Sequence, residues 1–170
     1  MAAVRVRLVT PDLQLLNAAI YDRAALAHEL GCELAENWEV FPDALGQTRD
    51  VVATDPAGVR WGPRLVLLLD EPCVLVGWGG FKGRPRDGLV EIRYAVAPGL
   101  RCRGIATAVV RELVGEAFSA SEVIAVFART DAAPNPSARV LTKVGFVHEG
   151  EVADDEIGCA WRFRYDRDRG

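Results

Sequence analysis

A mixed α/β sheet is the fold class this sequence predicts, with a central, mostly antiparallel sheet flanked by helices. Three observations carry the prediction. Apolar runs at residues 64–70 and 73–81 are separated only by the tight turn Asp70, Glu71, Pro72, as in an antiparallel hairpin. A third alternating run, residues 89–97, leads through a Pro-Gly turn into a wide helical stripe at 104–118. A strand, a helix and a terminal hairpin then follow, and that order of elements builds a mixed sheet.

The totals bound the answer. The chain has 170 residues, half of them apolar, enough to bury one sizeable core, and residues 1–170 read as one domain. The net charge of -4 is spread over mixed acidic and basic residues, giving no support to a nucleic-acid or membrane-surface partner. Cys32, Cys73, Cys102 and Cys159 lie far apart without a C-x-x-C pair, so zinc fingers and a disulfide framework are not expected, and reduced thiols are. The N-terminus MAAVRVRLVTPDL lacks the apolar stretch of a signal peptide, and LVLLL at 65–69 is too short to span a bilayer. A soluble, cytoplasmic protein is the expectation.

Taken in order, Val4, Val6 and Leu8 alternate with Arg5 and Arg7 as a half-buried strand does. Thr10, Pro11 and Asp12 then supply helix-capping chemistry for a helix to about Leu30, closed by Gly31. Pro42, Asp43 and Ala44 suggest a second helix start, and DPAG at 55–58 a turn. Val90, Ile92, Tyr94 and Val96 share one face of the third strand of the set, with Glu91 and Arg93 on the other. In the following helix Ile105, Val109, Leu113 and Ala117 form a stripe suited to lying on a sheet. Residues 123–128 read as a strand, 136–144 as a short amphipathic helix, and 146–152 with 159–165 as the last two strands.

The stretch VEIRYAVAPGLRCRGIATAVV, residues 90–110, carries the chemistry. A helix N-terminus offers unpaired N–H groups and partial positive charge, so an arginine-flanked turn entering one suits an anion such as phosphate. Neither G-x-x-x-x-G-K-[ST] nor G-x-G-x-x-G is present, which excludes the mononucleotide P-loop and the dinucleotide fingerprint. Gly104 allows close approach of the backbone, and Ala106 keeps the next turn narrow.

Arg101, Cys102, Arg103, Gly104, Ile105 and Ala106 resemble the [RQ]-x-x-G-x-[GA] acetyl-CoA loop of the GNAT N-acetyltransferases, preceded as in that family by V-x-P at 96–98. NPSARVLTKVGF, residues 135–146, is similar to N-x-x-S-x-x-V-L-x-K-x-G-F of the branch containing the ribosomal-protein-alanine acetyltransferases. With GWGGFKG at 77–83 and VEIRY at 90–94, the likeness covers roughly residues 60–150. The chain departs from the pattern at Cys102, where glycine, asparagine or a basic residue is commoner. Asn135 lies one residue closer to Gly145 than the usual asparagine, and Leu141 stands where many relatives place a tyrosine.

The resemblance implies a GNAT fold and acetyl-CoA as co-substrate, with no metal. It implies that the backbone of Tyr94, Ala95 and Val96 pairs with the pantetheine arm, with Asn135 as a further contact, and that the Val96 N–H faces the oxygen on which charge develops. The pyrophosphate would sit on the N–H groups of Cys102, Arg103, Gly104, Ile105, Ala106 and Thr107, with Arg101 or Arg103 adding charge. Glu91 is where the resemblance places the base that deprotonates the acceptor amine. The alternative for Glu91 is a surface ion pair with Arg93. Ser137 is either the donor to the departing thiolate or a helix N-cap. His28 and His148 lack Ser, Cys or Asp partners and read as ordinary structural or surface residues. Trp38, Trp61 and Trp78 read as core, with an acceptor pocket as the alternative. The acidic run Asp154, Asp155, Glu156 reads as a hairpin turn bordering the acceptor entrance in this fold.

The implied acceptor is a primary amine. A protein α-amine, with a reference pKa near ~8, is partly neutral at pH 7, whereas a lysine near ~10.4 is not, which favours the former slightly. A polyamine, amino acid or amino-sugar drug is the second acceptor class, and a non-catalytic acyl-CoA-binding module the rival from outside the enzymes. A homodimer is a further partner the resemblance implies.

Overall fold

Alternation decides which layer each strand residue joins. In the computed structural model, which describes residues 3–169, the elements in chain order are β1 (Val6–Val9), α1 (Leu13–Tyr21), α2 (Arg23–Leu30), β2 (Glu33–Leu34), α3 (Asp43–Thr54), β3 (Pro63–Leu68), β4 (Val74–Phe81), β5 (Leu89–Val96), α4 (Ile105–Phe118), β6 (Ala125–Asp131), α5 (Pro136–Val144), β7 (Val147–Asp154) and β8 (Gly158–Asp166). The sheet runs β1-β3-β4-β5-β6-β8-β7, with β2 added beside β4. Among the described residues only β2–β4 and β5–β6 are parallel. This is the mostly antiparallel mixed sheet the sequence predicts.

Val66, Val76, Val90, Ile92 and Val126 pack with the α4 stripe Ile105, Val109, Leu113 and Ala117 and with Ala138 and Leu141 of α5. Their odd-even neighbours Leu65, Leu67 and Leu75 face the other way, onto Leu16, Leu26, Trp38 and Leu45 of the N-terminal helical layer. The sheet is therefore covered on both faces over β3 and β4, as alternating apolar residues on both sides require.

Three expectations change. The helix expected to run to Leu30 is two helices, because Asp22 leaves helical geometry (φ -148°, ψ 87°), ends α1 with its N–H on the Ala18 carbonyl and caps α2 by accepting from the Ala25 N–H. The expected turn at 55–58 extends into a 3-10 helix, Pro56–Trp61, started by Asp55. Cys32 and Cys73 are not reduced thiols: they form a disulfide. Pairing of Glu33 with Val74 and Leu34 with Leu75 brings the residue before each strand side by side, Cα atoms 4.8 Å apart. A separation of 41 residues hides that contact from any reading of spacing. Cys102 and Cys159 are free and exposed. No helix among the described residues is long and apolar enough to cross a membrane.

Candidate active site

The sheet opens where β5 and β6 part. They pair at Leu89↔Ala125, Val90↔Val126 and Glu91↔Phe127, and no further, although β5 continues to Val96 and β6 to Asp131. Each is held on its outer side, β5 by Gly77↔Val96 on β4 and β6 by Asp131↔Ala160 on β8. Two strand edges thus face an opening between them.

The ladder fixes which groups line it. The Ala97 N–H donates to the Val76 carbonyl (2.8 Å) and the Lys82 N–H to the Glu91 carbonyl (2.9 Å). Because antiparallel residues alternate in the direction of their peptide groups, odd-numbered residues of β5 turn to β4, and Tyr94 and Val96 turn their N–H and C=O into the opening. Arg101 Nε donates to the Val96 carbonyl at 3.1 Å. On the β4 side the strands are very close: a Cβ on Gly77 would lie 2.1 Å from the Ala95 carbonyl oxygen.

Beyond β5 the chain enters α4 without a side-chain cap. Gly104 is the N-cap, in the left-handed region at φ 80°, and the Ala108 N–H is on its carbonyl at 3.1 Å. The first-turn N–H groups of Ile105, Ala106 and Thr107 therefore have no partner within the helix. Ile105 and Thr107 are buried, so what this turn offers to solvent is main chain. Cys102 is left-handed too, at φ 62°. Arg101 and Arg103 are both exposed, with Arg101 folded back on β5. An arginine-flanked, uncapped helix start beside an open strand edge can hold an extended ligand with an anionic segment.

Glu91 ends the paired part of β5, at the apex of the opening, its side chain 14 % exposed. Its charged neighbour is Arg129, at 3.8 Å, and not Arg93. Arg93 instead donates to Glu156 at 2.8 Å, and Lys82 to the other oxygen of Glu156 at 2.9 Å. Arg129 donates to Asp154 at 3.0 Å. These pairs set the charges of the mouth: Asp154 lies below the usual carboxylate range, held by Arg129 and by the Glu156 and Ile157 N–H groups. Glu156 is lowered by Lys82 and Arg93, and Arg129 is raised, chiefly by Asp154.

Across the opening, α5 begins at the N-cap Asn135, whose Oδ1 accepts from the Ala138 N–H at 2.8 Å. Ser137 is therefore not the cap. The Asn135 amide donates to Thr130 Oγ1 (3.2 Å) and to the Asp131 (3.1 Å) and Ala133 (2.8 Å) carbonyls, so its side chain is committed to the β6–α5 loop. Ser137 Oγ lies 2.6 Å from the Tyr94 hydroxyl. Burial pushes that phenol up to about 12, with Ser137 acting in the opposite sense. Leu141 is wholly buried.

The structure brings the β5 edge, the 101–107 loop, Glu91 and Ser137, all named from the sequence, around one opening. Arg129, the cation beside Glu91, was not singled out in the sequence, although period-2 alternation from Phe127 places it on the Glu91 face. Nor does the sequence point to more than a backbone role for Tyr94. His28 is exposed in the last turn of α2, and His148 packs its ring on Trp161 (4.9 Å) and Phe163 (5.0 Å), so neither joins the site. Trp38 and Trp61 are core, and Trp78 is half-buried on β4, opposite Ala95. Among the described residues no group of three or more His, Cys, Asp or Glu side chains is placed to hold a metal ion.

Comparison with known proteins bears on the family and the fold. The Acetyltransferase (GNAT) domain family matches residues 12–147. An uncharacterized N-acetyltransferase, YjdG, of Bacillus subtilis (strain 168) is 28 % identical over 153 residues, covering 88 % of this chain and 90 % of its own. Among solved structures, an aminoglycoside acetyltransferase in complex with coenzyme A superposes with a TM-score of 0.63 at 21 % identity, over 98 % of this chain and 96 % of its own. The ribosomal-protein-S5-alanine acetyltransferase of Vibrio fischeri does so with 0.62 at 19 % identity, over 99 % and 95 %. With the family match spanning most of the chain, this protein belongs to the GNAT acetyltransferases and is an N-acetyltransferase that uses acetyl-CoA.

Proposed function

We propose that this acetyltransferase, acting as a single domain, places its acetyl group on a primary amine carrying one positive charge, a protein N-terminal α-amine ahead of a polyamine. The reading is carried by the balance of charge at the mouth. Glu156 is neutralised by Lys82 and Arg93, while Glu91 and Asp154 share Arg129. With Asp155 also close to Arg129, Lys82, Arg93 and Arg129 face one more carboxylate than they balance, and a mouth with so small an excess of negative charge suits an acceptor that brings one charge better than one that brings three or four.

In this reading the pantetheine arm lies along the free edge of β5 at Tyr94–Val96, and the pyrophosphate sits on the N–H groups of residues 102–107, with Arg103 turned to it. The amine attacks the thioester carbonyl directly within a ternary complex. The Val96 N–H meets the carbonyl oxygen as charge develops. Glu91 takes the proton from the amine, and Ser137 donates to the departing sulfur. Asn135 shapes the loop that presents Ser137, its own amide being already engaged.

Thiol release from acetyl-CoA across a panel of peptides with free and blocked N-termini, spermidine, an aminoglycoside and free amino acids tests the reading. Turnover confined to peptides with a free α-amine supports it. Preference for spermidine or the aminoglycoside overturns the acceptor class, and coenzyme A binding without release under every acceptor points to a non-catalytic module.

A further inference from the structure

Two hydroxyls meet between β5 and α5. The Tyr94 side chain reaches from the face of β5 that packs on the α4 layer to the first turn of α5, its oxygen 2.6 Å from Ser137 Oγ and 3.4 Å from the Ser137 carbonyl oxygen. The shorter contact is a full O–H···O hydrogen bond. Each hydroxyl has a single hydrogen to give, so the direction of this bond decides what Ser137 can do. A serine that donates to the phenol has nothing left for a leaving sulfur. One that accepts from the phenol keeps its hydrogen and is made the better donor by the bond it receives.

The phenol hydrogen has two acceptors on Ser137, the carbonyl at 3.4 Å and Oγ at 2.6 Å, and three considerations besides the shorter distance point it to Oγ. A phenol is the more acidic of the two hydroxyls and hence the better donor. Burial holds Tyr94 protonated, its pKa pushed up to about 12. The capping duty that could have engaged the serine oxygen belongs to Asn135.

We propose that Tyr94 is a positioning residue, donating its hydrogen bond to Ser137 Oγ and so aiming the serine hydrogen at the sulfur that leaves acetyl-CoA. This rests on the reading of Ser137 as the group that meets that sulfur. In the transfer step the amine lone pair forms the C–N bond and the C–S pair departs with sulfur. The amine proton passes to Glu91 and on to water. The thiolate is held by the Ser137 hydroxyl until it takes a proton from water. Neither hydroxyl loses its proton, so no charge is left on the buried phenol.

The test is a double-mutant cycle of Tyr94→Phe, Ser137→Ala and the pair, read as kcat and KM for acetyl-CoA, with coenzyme A binding by calorimetry and thermal unfolding for each. The phenylalanine keeps the ring and its packing. The expected result is a fall in kcat of about tenfold for Tyr94→Phe, the size of one lost hydrogen bond, with coenzyme A affinity and melting temperature close to wild type. The double variant is expected to be no slower than Ser137→Ala alone. Wild-type turnover of Tyr94→Phe, or effects of the two changes that multiply, overturns the proposal. Wild-type turnover of Ser137→Ala removes the serine role on which it rests, and a wild-type enzyme that releases no thiol removes the transfer reading, so the three failures are distinct.

Discussion

Glu91 is a carboxylate with one cation nearby and a strand opening in front of it, and its replacement has a signed consequence. Glu91→Gln keeps the side chain's size and removes the proposed proton acceptor. We expect kcat/KM to fall by about a hundredfold at neutral pH, the lower end for general base catalysis, and the deficit to shrink as pH rises toward the acceptor's own pKa, where the amine is neutral unaided. A pH–rate profile of both enzymes checks this. Gly104 is the other residue whose chemistry is local. At φ 80° a Cβ costs about 1 kcal/mol; it would meet only the Val4 side chain, at an ordinary 3.5 Å, so the cost falls on the geometry of the turn that the proposal gives to the pyrophosphate. Gly104→Ala is expected to raise KM for acetyl-CoA and weaken coenzyme A binding in calorimetry while leaving kcat at saturation nearly unchanged. The placement of both residues was legible because their signals are short range: a carboxylate on the polar face of an alternating strand, and a glycine at a strand-to-helix turn. Tyr94 was only half legible, since its hydroxyl partner is 43 residues away.

Elements were legible where one period ran unbroken. Helix α4 lies within one residue of its expected start because its apolar stripe and its glycine entry agree, and α5 because Pro136 and Gly145 bracket it. The single N-terminal helix failed at Asp22, since an aspartate within an apolar run is compatible both with an exposed helix position and with a cap. Helix α4 also gives Ile105, Val109, Val110, Leu113, Val114 and Ala117 to the core. Leu113, wholly buried between α4 and the sheet, should lose roughly 2–5 kcal/mol on truncation to alanine, measured by chemical denaturation. The α4–β3 contact has an ionic component as well, because buried Arg64 donates to Glu116 of α4 at 2.7 Å and to the Val59 and Gly62 carbonyls. Nothing in the spacing of residues 64 and 116 announces that pair.

For the whole molecule, the ion pairs around the mouth join β5, β6 and the residue after β4 to the end of β7 and the β7–β8 turn. Their pH dependence has a definite sign. Asp154 and Glu156 are lowered in the folded protein, so the stability they contribute is fully present above the ordinary carboxylate range and is lost as pH falls through their depressed values, below about pH 4. Asp154→Asn should unfold at a lower temperature than wild type at pH 7, and the two melting temperatures should converge on acidification. Thermal scans from pH 7 to pH 3 check it. This network was illegible in the sequence because its members come from segments up to 74 residues apart, and only the sheet order brings them together. The same holds for Cys32 and Cys73.

That sulfur bridge changes the topology of the unfolded chain. Residues 32–73 close into a covalent ring that contains all of α3 and β3, while everything from β5 onward stays on an open tail. The ring restricts the unfolded ensemble of the N-terminal half alone. Only the α3 part of the layer that covers one face of β3 and β4 is tethered in this way, while α1, α2 and the half that carries the proposed acetyl-CoA site must find their order through packing.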